Sequence, residues 1–240
     1  MINLAKRDRR SVGKLFDYSV LPKQTSEAEI RKGCREAVAY NCAAFYSASP
    51  YWTPVIKEEL AGTDVLAATG IGFPWGVAPP GVKLLETEHA LAAGCQSVDL
   101  VINAGALKSG RTADVRQEIR EFVALVKGRA LTKIILEVCF LTDEELVTGC
   151  RLIQEAGADF AKTSTGQFEG PSLPQVLLMR ETLKGSGVKL KVAGVKFPRP
   201  QNAYTFILAG ADLIGTRAAP EIIDALEQMR EIGLVPPYAP

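Results

Sequence analysis

Histidine is nearly missing from this sequence. His89 is the only one in 240 residues, and it falls inside a stretch that reads as a helix, so it is assigned to structure. A Ser-His-Asp triad or a histidine-rich metal site therefore has no imidazoles to build on. Cysteine occurs five times, at Cys34, Cys42, Cys95, Cys139 and Cys150, without a CxxC or any metal-ligand spacing. These residues read as free thiols of a reducing cytoplasm, and no metal site is expected. Excess charge is missing too: 28 Lys and Arg against 27 Asp and Glu leave a net charge of +1. That gives nucleic acid or an anionic membrane no electrostatic pull. No apolar run approaches the roughly 18 residues of a membrane span. The first residues, Met1 to Arg7, lack the apolar core of a signal peptide. No GxGxxG follows a first strand, no P-loop occurs, and no linker or low-complexity run divides the chain.

What remains is a regular alternation. Short apolar runs read as strands at Lys14–Asp17, Ala43–Ser47, Asp64–Thr69, Ser97–Asn103, Lys133–Val138, Asp159–Lys162, Val188–Val192 and Leu213–Gly215. Helical patterns separate them. Ser26 with Glu29, and Thr142 with Glu145, are spaced as capping boxes at two helix starts. The last helix is expected over Glu221–Glu231. Strand–helix alternation with short loops implies a parallel sheet. Eight such units predict an α/β fold, a (β/α)8 TIM barrel spanning 1–240 as one domain, with 1–13 and 233–240 as loose terminal segments. A doubly wound open sheet is the second reading.

In such a barrel the polar residues near the C-terminal ends of strands are the candidates for chemistry. The segment AGADFAKTSTG, 156–166, ends an apolar strand on Lys162. An amine at that place is unfavourable unless neutral or paired. Asp17 closes the first expected strand. Asp99, Val101 and Asn103 share a face of the fourth, Glu137 lies on the fifth, and Lys189 and Lys191 lie on the seventh. A second ammonium near Lys162 lowers its pKa and leaves neutral amine to attack a carbonyl. An aspartate and a lysine can then move protons on and off the adduct. Lys189 and Lys191 share a face, so spacing does not choose between them. Glu137 reads as a structural partner of one of the lysines.

Four segments, VDLVINAGALKSG (98–110), KIILEVCFLTDEE (133–145), EAGADFAKTSTG (155–166) and AGADLIGT (209–216), resemble the deoxyribose-phosphate aldolase family, and the resemblance runs from LFDYSVL (15–21) to Thr216. It implies a class I aldolase on a (β/α)8 barrel. Lys162 would form the Schiff base with acetaldehyde, and the enamine would add to glyceraldehyde 3-phosphate to give 2-deoxyribose 5-phosphate. Lys191, chosen by the resemblance, and Asp99 would assist proton transfer. The resemblance implies no metal or organic cofactor. It implies a small-molecule aldehyde or sugar phosphate substrate and a homo-oligomer, dimer or larger; the expected cytoplasmic location rests on the cysteines, and the expectation of no nucleic acid or membrane partner on the charge and the apolar runs. Some members of the family use a C-terminal tyrosine in proton transfer; Tyr238 lies near the C-terminus here, but the tail is short and the role is not carried over to it.

The chain departs from the family at the phosphate end. Val195 stands where the family has its second glycine, Phe197 where it has a basic residue, and Arg217 and Ala218 where it has serines. At the first two strands it has Asp17-Tyr18-Ser19 and Ser47-Ala48-Ser49-Pro50. Substrate contacts are expected from Asp17, Ser19, Ser47, Thr163, Gly166, Gly194, Lys196, Gly215 and Arg217. Lys196 and Arg217 would clamp a phosphate set differently, or a carboxylate. Two alternatives follow: a Schiff-base lyase for a non-phosphorylated or carboxylated substrate, and a non-catalytic metabolite-binding barrel. Retention of Lys162, Asp99 and Lys191 together argues against the second.

Overall fold

Each expected strand is too short and too apolar to stand alone, and each following helix carries an apolar face that needs cover. The computed structural model, which describes residues 2–239, satisfies both needs by closure. Eight parallel strands pair in chain order and the eighth returns to the first. They are β1 (Phe16–Val20), β2 (Ala44–Ser47), β3 (Leu66–Ile71), β4 (Ser97–Val101), β5 (Leu131–Ile135), β6 (Phe160–Lys162), β7 (Lys189–Ala193) and β8 (Leu213–Thr216). The open-sheet alternative is overturned by the β1–β8 pairing.

Outward-facing strand residues such as Phe45, Val98, Ile134, Val192 and Ile214 are fully buried beneath the helices. The helices include Glu27–Ala39, Thr112–Val126, Asp143–Ala156 and Leu173–Leu183. Both expected capping boxes form: the side chains of Ser26 and Glu29, and of Thr142 and Glu145, exchange bonds with each other's backbone N–H. Each cap is worth about 1 kcal/mol. No described helix is long and apolar enough to cross a membrane.

Several expectations need correction. β1 begins later than expected, after a 3-10 turn over Gly13–Leu15. Asp17 is therefore low in the strand, not at its end. β4 stops at Val101, and Asn103 instead caps the short helix Ala104–Lys108, its side-chain oxygen accepting from Ala106 N at 3.0 Å. β5 stops at Ile135. Glu137 lies beyond it at φ 55°, a left-handed conformation that no strand continues. The last helix is two, Ala219–Asp224 and Leu226–Glu231.

The termini are not loose. Leu4, Val12 and Val235 are buried. Arg230 donates to the carbonyls of Leu4 and Arg7, and Ala239 N donates to Ala5 O at 2.8 Å. A few apolar side chains in a polar stretch hold each end against the other, too few to mark a periodicity. Met1 and Pro240 lie outside the described residues.

Candidate active site

Alternation along the strands sends Asp17 and Ser19 of β1, Ser97 and Asp99 of β4, Lys133 of β5, Lys162 of β6 and Lys191 of β7 to the barrel interior. Five of these form one ionic cluster. Lys162 Nζ donates to Asp99 Oδ2 at 2.7 Å. Lys191 Nζ bridges the two carboxylates, donating to Asp99 Oδ2 at 2.9 Å and Asp17 Oδ2 at 2.6 Å. Lys133 Nζ donates to Asp17 Oδ2 at 3.0 Å and to Ser97 Oγ, and lies 3.7 Å from Asp99 Oδ1. All five side chains are 0–3% exposed.

A buried cluster with unbalanced charge is strongly penalised. Three amines face two carboxylates here, so two ammonium groups suffice for balance and the third amine is favoured neutral. That third amine is Lys162. Its pKa falls from 10.5 to about 7, chiefly because burial removes water from the ammonium, with Lys191 and Lys133 adding to the effect against the pull of Asp99. The apolar surroundings that singled Lys162 out in the sequence thus outweigh the neighbouring ammonium groups. Burial also works against the charge on Lys191, but Asp17 and Asp99 outweigh it and hold that amine above its ordinary range. For Asp99 and Asp17 burial pushes the pKa up, and the surrounding lysines overcome it and hold both carboxyls below the ordinary range.

Lys189 shares its face with Lys191, as parity requires. It is the first residue of β7, is exposed, and lies 5.7 Å from the centroid of the Phe160 ring. Height along the strand separates the two lysines. Lys191 crosses the interior because β8 offers Gly215, where a Cβ would stand 3.0 Å from Lys191 Cε.

Above the cluster, at the C-terminal ends of the strands, lies a cleft of about 290 Å3. Lys162 and Tyr46 lie at its base. Of the expected substrate-contact residues, Ser19, Gly166, Gly194, Lys196, Gly215 and Arg217 line it. Asp17 does not; it lies deeper and reaches the site through Lys191. Ser47 and Thr163 do not line it either. The Ser47 hydroxyl donates to Ser49 O at 3.2 Å and accepts from Ser49 N. The Thr163 hydroxyl accepts from Ala193 N at 3.0 Å and stitches the end of β6 to β7. Glu137 contacts no lysine by hydrogen bond; its carboxylate accepts from Thr165 N at 3.1 and 3.3 Å and fixes the loop after β6. Burial raises its pKa.

Three cations border the cleft. Lys196 is 3.6 Å from Glu169, and Arg199 is 3.4 Å from Glu221. Arg217 is exposed and has no ion pair among the described residues. Tyr238 is not part of the cleft; Arg230 lies 5.3 Å from its ring centroid, among the packed termini.

Two residues escaped the sequence reading. Lys133 carries the same signal as Lys162, a lysine in an apolar strand, but it was expected to open the fifth strand, whereas β5 begins at Leu131 and places Lys133 in mid-strand. Tyr46 is the interior residue at the top of β2, above Ala44, where Ser47 had been expected to act.

No protein-family model matches the chain. It is 42% identical over 214 residues to the deoxyribose-phosphate aldolase of Bacillus cytotoxicus, covering 89% of this chain and 95% of the relative. It is 41% identical over 215 residues to the enzyme of that name from Geobacillus sp. strain WCH70, with the same coverages, 89% and 95%. Among solved structures, the tetrameric deoxyribose phosphate aldolase of Aeropyrum pernix aligns with a TM-score of 0.84 at 29% identity, over 92% of this chain and 93% of that one.

Proposed function

Because the chain belongs to the deoxyribose-phosphate aldolase family, we propose that Lys162 is its Schiff-base lysine and that it cleaves 2-deoxyribose 5-phosphate reversibly to acetaldehyde and glyceraldehyde 3-phosphate. The enzyme is a class I aldolase, a lyase. The observation that carries the assignment is Lys162 Nζ at the base of the cleft, 2.7 Å from Asp99, with its amine held near neutrality.

The neutral amine adds to C1 of the open-chain sugar. The carbinolamine loses water, taking a proton from the Lys191 ammonium, and becomes a cationic iminium. Asp99, directly or through a water, removes the proton of the C3 hydroxyl. The C2–C3 bond breaks, its electron pair forms the enamine, and glyceraldehyde 3-phosphate departs. Protonation of the enamine at C2 and hydrolysis release acetaldehyde and return the amine. Asp99 Oδ2, which accepts from both Lys162 and Lys191, is the carboxylate oxygen nearest the reacting amine; Oδ1 lies 3.7 Å from Lys133. Asp17 positions Lys191. Lys133, 3.0 Å from Asp17, adds to the burial and the Lys191 charge that lower the Lys162 pKa.

The anionic end of the substrate lies toward Arg217, the unpaired cation of the mouth, with Lys196 beside it and the backbone of Gly166, Gly194 and Gly215 around it. Ser19 faces the same space. The chain acts as a homo-oligomer in the cytoplasm; the tetrameric Aeropyrum pernix relative and five unpaired cysteines support that reading. The test is acetaldehyde release from 2-deoxyribose 5-phosphate, followed in the wild type and in Lys162→Arg. Release that Lys162→Arg abolishes is expected. Equal release by both contradicts the assignment.

A further inference from the structure

Tyr46 is among the largest fully buried side chains of the protein, at 1% exposure, and it lies inside the barrel rather than under a helix. Its neighbours on β2 and β3 are small: Ala44, Ala68 and Gly70. The ring fits only because Gly70 has no side chain, since a Cβ there would stand 2.3 Å from the tyrosine oxygen. Phe73 packs edge-on against it, 6.0 Å between centroids. These contacts stop the ring from moving toward β3. On its other side, Lys162 Nζ is 4.5 Å and Lys191 Nζ 5.2 Å from the ring centroid. The hydroxyl has no hydrogen-bond partner among the described residues, so the ring carries the role.

Carbon atoms in contact are about 3.5–4.0 Å apart. A carbon bonded to Lys162 Nζ, or the next one along, already touches a ring held at that distance. We propose that Tyr46 determines donor specificity, restricting the carbonyl that condenses with Lys162 to a two-carbon aldehyde. A donor with a further methylene, or a ketone with a second methyl, meets the ring face. The inference rests on Lys162 being the Schiff-base lysine. The ring's electron-rich face also suits the cationic iminium, and phenylalanine would keep that contact.

The experiment compares acetaldehyde with propanal as donor to one acceptor, glyceraldehyde 3-phosphate, in the full-length wild type and in Tyr46→Phe, Tyr46→Leu and Tyr46→Ala. Each protein is also treated with each donor and borohydride. Tyr46→Phe is expected to keep the wild-type donor ratio. Tyr46→Leu and Tyr46→Ala are expected to raise the propanal-to-acetaldehyde ratio of kcat/KM by about tenfold or more, the scale of one methylene in a fitted pocket. In the wild type, propanal is expected to trap on Lys162 at least about tenfold more slowly than acetaldehyde. Equal trapping of the two donors by the wild type overturns the proposal without any variant. So does an unchanged ratio in the Leu or Ala variant while acetaldehyde still labels Lys162, which leaves the lysine's role intact. Absence of any acetaldehyde label on the wild type overturns both.

Discussion

Lys162 and Asp99 meet at 2.7 Å across an intervening strand. Asp99 is in register with Lys133 on β5, and Lys162 is in register with Ile135, two residues higher. The carboxylate therefore reaches upward to the amine at the cleft and is braced from below by Lys133. Asp99→Asn removes the proposed base and one of two negative charges. It is expected to lower kcat by about 10²–10⁴-fold. Steady-state kinetics, with circular dichroism to confirm folding, checks this; a kcat within a few-fold of wild type contradicts it.

Charge balance makes Lys133 a remote control on Lys162. Lys133→Met leaves two amines against two carboxylates, so Lys162 becomes the needed counter-charge and its pKa rises from about 7. The acid limb of the kcat/KM profile is expected to move to higher pH by about one unit or more, with activity recovering in alkaline buffer. A profile that falls uniformly at all pH values would mean that Lys133 acts only through packing.

The same depressed amine opposes folding. Its native pKa, about 7, lies below the ordinary 10.5. Between those values the unfolded chain binds more protons, so this group's contribution to stability rises with pH across that window and is lost as pH falls back through it. Lys162→Met removes the odd amine and leaves the other four charges balanced. It is expected to abolish activity and raise Tm by a few degrees at pH 7. Differential scanning calorimetry reads this directly, and a lowered Tm would refute the balance.

Gly215 gives Lys191 its passage. Gly215→Ala places a Cβ against Lys191 Cε, 3.0 Å away before relaxation. It is expected to destabilise the protein by about 1–3 kcal/mol and to lower kcat more than it raises KM. Urea unfolding and kinetics together check both parts.

Arg217 is expected to serve the anionic end of the substrate. Arg217→Ala should raise KM for 2-deoxyribose 5-phosphate by about tenfold or more, the scale of a lost charge-assisted hydrogen bond, and leave 2-deoxyribose itself unaffected. An unchanged KM places the anion elsewhere in the cleft.

The barrel was legible because alternation, capping boxes and loop lengths are local signals. Lys162 was legible because an amine at the end of an apolar strand has few explanations. Other parts depend on closure. Which of Lys189 and Lys191 reaches the cluster is a matter of height inside the barrel, and strand parity carries no height. Tyr46 and Ser47 face opposite ways, and the face toward the interior is fixed by register with β3, where Tyr46 pairs with Ala68. Lys133 joined the cluster only once β1 and β5 met across the interior through Asp17. Glu137 left its strand through a backbone turn that composition does not encode.

Of the interior lysines Lys133, Lys162 and Lys191, Lys162 alone is expected to be the nucleophile. Borohydride reduction in the presence of acetaldehyde, followed by peptide mass mapping, tests it most directly. One ethylated residue is expected in the cluster, Lys162, with labelling that increases as pH rises through about 7. An ethyl group on Lys191 or Lys133, or labelling of Lys162 that appears only near the ordinary lysine pKa, would contradict it.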